Sequence, residues 1–166
     1  VGCGTGELTR VLREETAGRV IGVDADRSLL AHVDPPVVAG DACRLPFADG
    51  AFDLVVCQAL LINLPEPARA LEEFARVSSD RVGVIEPDNG AVAIDSTVPA
   101  EADLAGRARE RYLAGVDTDV TLGADARSLF PEAGLTPVAT RRYDHVRTIE
   151  PPYSASDLEA ARRNAS

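Results

Sequence analysis

The sequence predicts an α/β domain with a mostly parallel twisted sheet and helices on both faces. Three observations carry that expectation. Strand and helix signals alternate through residues 1–89, a glycine-rich turn opens the chain, and acids follow two of the expected strands. Alternating strands and helices imply parallel strands joined by helical crossovers.

The elements read in order as follows. Leu8, Val11 and Leu12 fall on one face of a helix over about Glu7–Ala17, which Gly18 ends. Arg19–Val23 is a short buried strand that delivers Asp24. Asp26–Val33 is a short helix with Leu29, Leu30 and Val33 inward, broken by Pro35 and Pro36. Val37–Ala39 is the next strand, and residues 44–51 form a loop. Phe52–Cys57 is a buried strand. Ala68–Val77 is a helix with Leu71, Phe74 and Ala75 toward the core, and Val82–Ile85 is the following strand.

After Pro87 the pattern changes. Asp88–Val98 reads as irregular, Ala100–Ala114 as a helix with Leu104, Ala108 and Tyr112 about one face, and Asp125–Ala133 as a helix capped by Gly134. Thr136–Ile149 alternates as a long strand or hairpin arm would. The expected organisation is one domain over 1–166: a core at 1–89, a helical covering segment at 90–135, and a late strand with the start of a C-terminal segment at 136–166. The chain lacks Met, starts at Val1 and stops within an apparent helix at Asp157–Arg163, so both ends read as cut.

All 17 basic residues are Arg, and 27 acids bring the net charge to −10. Such a field repels phosphate backbones and anionic membranes. Salt adaptation explains the composition, and a GC-rich genome would also favour Arg over Lys. Cys3, Cys43 and Cys57 form no metal-binding pattern, and the odd count points to a reducing cytoplasm. No metal ligand set is expected. No apolar run reaches membrane-spanning length.

The chemistry concentrates at the opening, Val1-Gly2-Cys3-Gly4-Thr5-Gly6-Glu7. Glycines at alternate positions let the chain turn tightly from strand to helix and let a ligand approach the backbone. The G-x-G-x-G spacing differs from the dinucleotide fingerprint, which needs glycine where Glu7 stands. Asp24 lies 18 residues after Gly6, near the spacing expected of an acid that holds a ribose diol. Gly40-Asp41-Ala42 ends another strand, where an acid can accept from an adenine amino group.

Together these residues resemble the class I, Rossmann-like methyltransferases that use S-adenosylmethionine, in their small-molecule branch. The stretches VGCGTGELT, GVDAD, GDACRLPFADGAFDLVVCQALLINLPEPARALEEFARV and RVGVIEPD carry the resemblance, which is close over residues 1 to about 89. It implies that Gly2, Cys3, Gly4, Thr5 and Gly6 flank the methionine and ribose parts of S-adenosylmethionine. It further implies that Asp24 and Ala25 hold the ribose, Asp41 and Ala42 the adenine, and that Gln58 borders the methyl group. The sequence departs from the family's pattern in three places. The first strand is missing, Asn63 stands where many relatives have His, and Ser78-Ser79-Asp80 replaces a glycine-rich turn.

Methyl transfer from a sulfonium needs alignment and a dry pocket more than a nucleophile. No catalytic residue is assigned; His145, Glu86 and Asp88 are the base candidates if an acceptor must lose a proton. Arg141, Arg142 and Arg147 read as a solvated cluster. Glu150-Pro151-Pro152-Tyr153 reads as a rigid connection, since the similar loop of amino-methylating enzymes follows the fourth strand. The expected function is direct methyl transfer to a small molecule, without nucleic acid or membrane partners. The alternatives are a nicotinamide-dependent oxidoreductase and a non-catalytic S-adenosylmethionine-binding subunit.

Overall fold

A computed structural model describes residues 1–93, 100–146, 148, 150, 152, 154–156 and 159. The chain divides into two compact units, Val1–Ala93 with Val116–Val138, and Ile94–Gly115 with Ala139–Ser166. The expected cofactor-binding residues all lie in the first.

That unit begins with α1 (Glu7–Glu15), β1 (Gly22–Asp24), α2 (Arg27–Leu30) and β2 (Val37–Ala39). β3 (Phe52–Gln58), α3 (Pro67–Val77) and β4 (Ser78–Ile85) follow. β1 pairs with β2 in parallel, with Asp24 opposite Ala39. β3 pairs with β4 in parallel, with Gln58 opposite Ile85. The parallel α/β architecture expected from the alternation is present.

Residues 1–3 lie between the two strand pairs. Val1 N donates to Val56 O on β3 at 2.7 Å, and Cys3 N donates to Val23 O on β1 at 2.9 Å. Beside this short bridge opens a groove of about 830 Å³. Arg19, Val20 and Ile21 line one wall and Phe52, Leu54 and Val55 line another, so the backbones leading into β1 and along β3 both face it. Leu8 and Leu12 of α1 also line it, while Val11 is exposed and the α1 residue buried deepest is Thr9. The helix presents its leucines to this groove, and Val11 stands at the exposed margin of the same face.

α3 fills the core with Ala70, Leu71, Phe74 and Val77, spaced to share one helix face. Leu71 and Phe74 are fully buried, each stabilising the fold by about 1.5–3 kcal/mol. Pro67 starts the helix where its missing N–H costs nothing. The chain then enters β4 at once, at Ser78. Ser78-Ser79-Asp80, which replace the family's glycine-rich turn, are strand residues here, with Phe52 opposite Ser78.

Two other expectations need correction. Asp125–Ala133 is not an α-helix; a 3-10 helix covers Ala126–Leu129, and turns continue to Gly134. Gly134 does close the segment in the left-handed region, at φ 73°, with Leu135 N donating to Phe130 O. Among the described residues of Thr136–Ile149 there is no strand, and Val138, Tyr143 and Val146 are largely exposed. An alternating pattern becomes a strand only beside a partner edge, and none pairs with it among the described residues.

In the second unit α4 spans Glu101–Ala114. Leu104 and Tyr112 are exposed on it. Arg147, Ile149, Pro151, Tyr153 and most of Asp157–Arg163 lie outside the described residues.

Candidate functional site

The glycine turn connects the Val1–Cys3 bridge to α1. Gly2, Gly4 and Gly6 all have positive φ, at 63°, 52° and 90°. The surroundings of Gly2 and Gly4 differ. A Cβ on Gly2 would sit 2.8 Å from Leu60 Cδ1, so packing closes that side. A Cβ on Gly4 would meet nothing within 4 Å. Gly4 therefore combines a backbone shape that side chains resist with open space on the side a ligand would approach. Gly6 serves as the N-cap of α1 and is buried.

β1 carries Asp24 to the edge of this turn. Asp24 Oδ2 accepts from Gly4 N at 2.7 Å, and Oδ1 accepts from Asp26 N at 2.9 Å. Each oxygen retains further acceptor capacity. Asp26 caps α2, its Oδ1 accepting from Ser28 N and Ser28 Oγ, and these bonds hold its carboxyl below the ordinary range. Gly40 N donates to Asp24 O, which brings the end of β2 alongside. Asp41 follows, exposed, with Oδ1 accepting from Cys43 N at 2.8 Å. Ala42 packs into the core, leaving its backbone as the part available to a ligand.

β3 ends at Gln58, which is exposed and borders the groove together with Gly2, Cys3, Gly4 and Thr5. Ala59 follows at φ 47°, and Leu61–Asn63 form a 3-10 helix. The first amides of this turn converge on one carboxylate from the end of β4. Glu86 Oε1 accepts from Leu60 N and Leu61 N, both at 3.0 Å, and Oε2 accepts from Ile62 N at 3.3 Å. Cys57 Sγ lies 3.8 Å from Oε1. Burial first, and then the Glu86 charge, push the Cys57 thiol up to about 12. Burial likewise raises the Cys3 thiol, with Asp24 adding to the effect.

The structure thus brings Gly2, Cys3, Gly4, Thr5 and Gln58 to one groove, and ties Asp24 to Gly4 by a hydrogen bond. Ala25, Asp41 and Ala42 do not line that groove; they lie on the loops that leave β1 and β2. Glu86, expected among the possible bases, has its carboxylate engaged by three backbone amides, which corrects that expectation. His145 is exposed in the second unit. Sequence reasoning missed Leu60 as the cover of Gly2. The signal available was the apolar run after β3.

The family model described as "Methyltransferase domain" matches residues 1–81. Over those residues the chain is similar to the class I S-adenosylmethionine-dependent methyltransferases. A demethylmenaquinone methyltransferase of Lactobacillus johnsonii is 33% identical over 99 residues, covering 51% of this chain and 41% of the relative. One from Corynebacterium kroppenstedtii is 36% identical over 103 residues, covering 59% and 44%. The chain spans less than half the length of these curated relatives. Among solved structures, a Haloferax volcanii methyltransferase in complex with the Trm112 methyltransferase activator superposes with a TM-score of 0.57 at 22% identity, covering 80% of this chain and 57% of that one. An arsenic(III) S-adenosylmethionine methyltransferase from Chlamydomonas reinhardtii gives 0.56 at 21%, covering 80% and 49%. These two likenesses concern the fold.

One departure noted in the sequence takes on structural meaning here. Asn63 belongs to the turn after β3, with Nδ2 donating to Ala59 O at 2.8 Å. It closes that turn locally. Among the described residues no helix is long and apolar enough to cross a membrane.

Proposed function

We propose that the intact protein transfers a methyl group from S-adenosylmethionine to a small-molecule acceptor by direct in-line displacement. The observation that carries this reading is Gly4, left-handed and open on its ligand side, with its N–H held by Asp24. A cradle of that shape accepts a ligand that a Cβ would exclude. Gly2, Cys3, Gly4, Thr5 and Gly6 would flank the methionine and ribose portions, and Asp24 with Ala25 would hold the ribose diol. Asp41 and the Ala42 backbone would meet the adenine, while Gln58 would border the reacting methyl. The bound cofactor supplies an electrophilic methyl on a sulfonium. The chain's own part is alignment and exclusion of water.

The domain arrangement that goes with this reading is a cofactor core at 1–89, a covering segment at 90–135, and a late segment from 136. The net charge of −10 favours a small acceptor over nucleic acid, and a cytoplasmic setting suits the free thiols. A demethylated quinol is the first acceptor to assay, because several relatives carry the name demethylmenaquinone methyltransferase.

The test is calorimetry of the intact protein with S-adenosylmethionine and S-adenosylhomocysteine, followed by turnover on a small-molecule panel. Binding of both cofactor forms, with methylated product, is expected. Binding of a nicotinamide dinucleotide instead would overturn the reading.

A further inference from the structure

We infer that Glu86 is a positioning residue: its carboxylate sets the shape of the turn after β3 and, through Leu60, the entrance of the glycine turn. The inference rests on the reading of residues 1–58 as the S-adenosylmethionine site.

The turn that follows Gln58 faces the region where the methyl group would lie. Its conformation is not a default one. Ala59 is the sole non-glycine residue with positive φ among the described residues, at 47°. Something must hold it there, since an alanine disfavours that region. Two anchors do so. Ala59 N donates to Ile85 O at 2.9 Å, continuing the β3–β4 ladder. The next three amides, of Leu60, Leu61 and Ile62, then turn together onto Glu86. Successive amides that converge in this way form an anion-binding concavity, and here the anion is built into the protein.

The consequence reaches the glycine turn through one side chain. Leu60 lies where a Cβ on Gly2 would be, with Cδ1 at 2.8 Å and Cδ2 at 2.9 Å from that position. A Leu60 displaced by relaxation of its own backbone would uncover Gly2 and free the turn at residues 2–4. Glu86 thus links the end of β4, the turn after β3 and the glycine turn. It acts through the backbone and Leu60 rather than on the reacting atoms.

A carboxylate that only stabilised the fold would leave ligand affinity unchanged in the folded population. The experiment therefore compares Glu86→Ala, Glu86→Gln and a control, Ala70→Gly, in the intact protein. Ala70 is fully buried on α3, away from the glycine turn in sequence, so its replacement lowers the melting temperature through the core. For each, affinity for S-adenosylhomocysteine is measured by calorimetry well below the melting temperature, and amide hydrogen exchange is followed at Leu60, Leu61 and Ile62. Glu86→Ala is expected to weaken binding at least tenfold and to speed exchange at those three amides. Glu86→Gln, which keeps acceptor oxygen at the same reach, should recover most of the affinity. Ala70→Gly should change the melting temperature but neither readout. Native-like affinity in Glu86→Ala, beside a binding-competent native protein, overturns the positioning role alone. A native protein that binds no S-adenosylhomocysteine overturns both this inference and the function on which it rests.

Discussion

Asp24 and Gly4 are joined directly: the carboxylate accepts from the glycine's N–H at 2.7 Å, although 20 residues separate them. The acid that would hold the ribose also shapes the turn beneath it. Asp24→Ala removes both contributions, and Asp24→Asn keeps one acceptor oxygen for Gly4 while losing the charge. Affinity for S-adenosylhomocysteine should fall by roughly 1.5–3 kcal/mol in Asp24→Ala, the scale of a hydrogen bond to a charged group. Asp24→Asn should fall between it and the native protein. Equal calorimetric affinity in all three would remove Asp24 from the site.

The groove beside residues 1–3 yields a second prediction. Its two walls are the backbones leading into β1 and along β3, and Val1 and Cys3 already bond one to each. A strand placed there would pair on both sides and bury its side chains against Leu8 and Leu12. Fusing five or six β-branched residues ahead of Val1 should therefore stabilise this chain. A gain of about 2 kcal/mol would raise the melting temperature by roughly 4–8 °C. A Gly/Ser extension of equal length serves as the control. The groove model fails if the two extensions melt together.

Much of this was legible in the sequence. The glycine turn and the strand that delivers Asp24 to it were legible because both depend on local spacing, which a sequence displays. Val37–Ala39 was placed to the residue, and β3 was short by Gln58 alone, since short apolar runs between turn residues mark strands. Glu86 was misjudged because its three amide partners sit 24–26 residues earlier, and nothing local reveals where a carboxylate points. Thr136–Ile149 was misjudged for a related reason: alternation records a face, while a strand also needs a neighbour.

A third prediction concerns Arg76. Its guanidinium meets Glu73 through two nitrogens, at 2.6 and 2.8 Å, and also bonds Asp49 Oδ1, Phe47 O and Leu45 O. Glu73 in turn accepts from Leu45 N at 2.7 Å. This clasp fastens the 45–49 loop to α3. The Arg76 hydrogen bond holds the Glu73 carboxyl below its ordinary value of 4.5. A depressed folded value means that stability is present above the unfolded value and is lost as pH falls through the folded one. Glu73→Gln should lower the melting temperature at pH 7 and narrow its gap to the native protein progressively below about pH 4.5. Arg76→Lys should also destabilise, because an ammonium cannot reproduce the fork. A constant gap between native and Glu73→Gln down to strongly acid pH would contradict the clasp.

The last prediction turns on Cys57, which is fully buried and 3.8 Å from Glu86 Oε1. Its thiol titrates near 12 when folded, against an ordinary 9.0. Between those values the unfolded chain has released a proton that the folded chain still holds. Stability from this group is therefore complete below pH 9 and falls as pH rises toward 12. Cys57→Ala removes that dependence at the expense of a small void, costing about 1–2 kcal/mol at neutral pH. Alkaline unfolding should accordingly be shallower in Cys57→Ala than in the native protein. Alkylation at pH 8 makes an independent check. Cys3 and Cys43 are partly exposed and should be modified in the folded protein, slowly because both thiols are also raised. Cys57 should be modified only as the protein opens, at a rate that rises with denaturant. Methyl transfer by the Cys57→Ala protein should persist, since a neutral buried thiol is a poor nucleophile. Rapid alkylation of Cys57 under native conditions would show that the end of β3 is open to solvent, and would undo the thiol assignment.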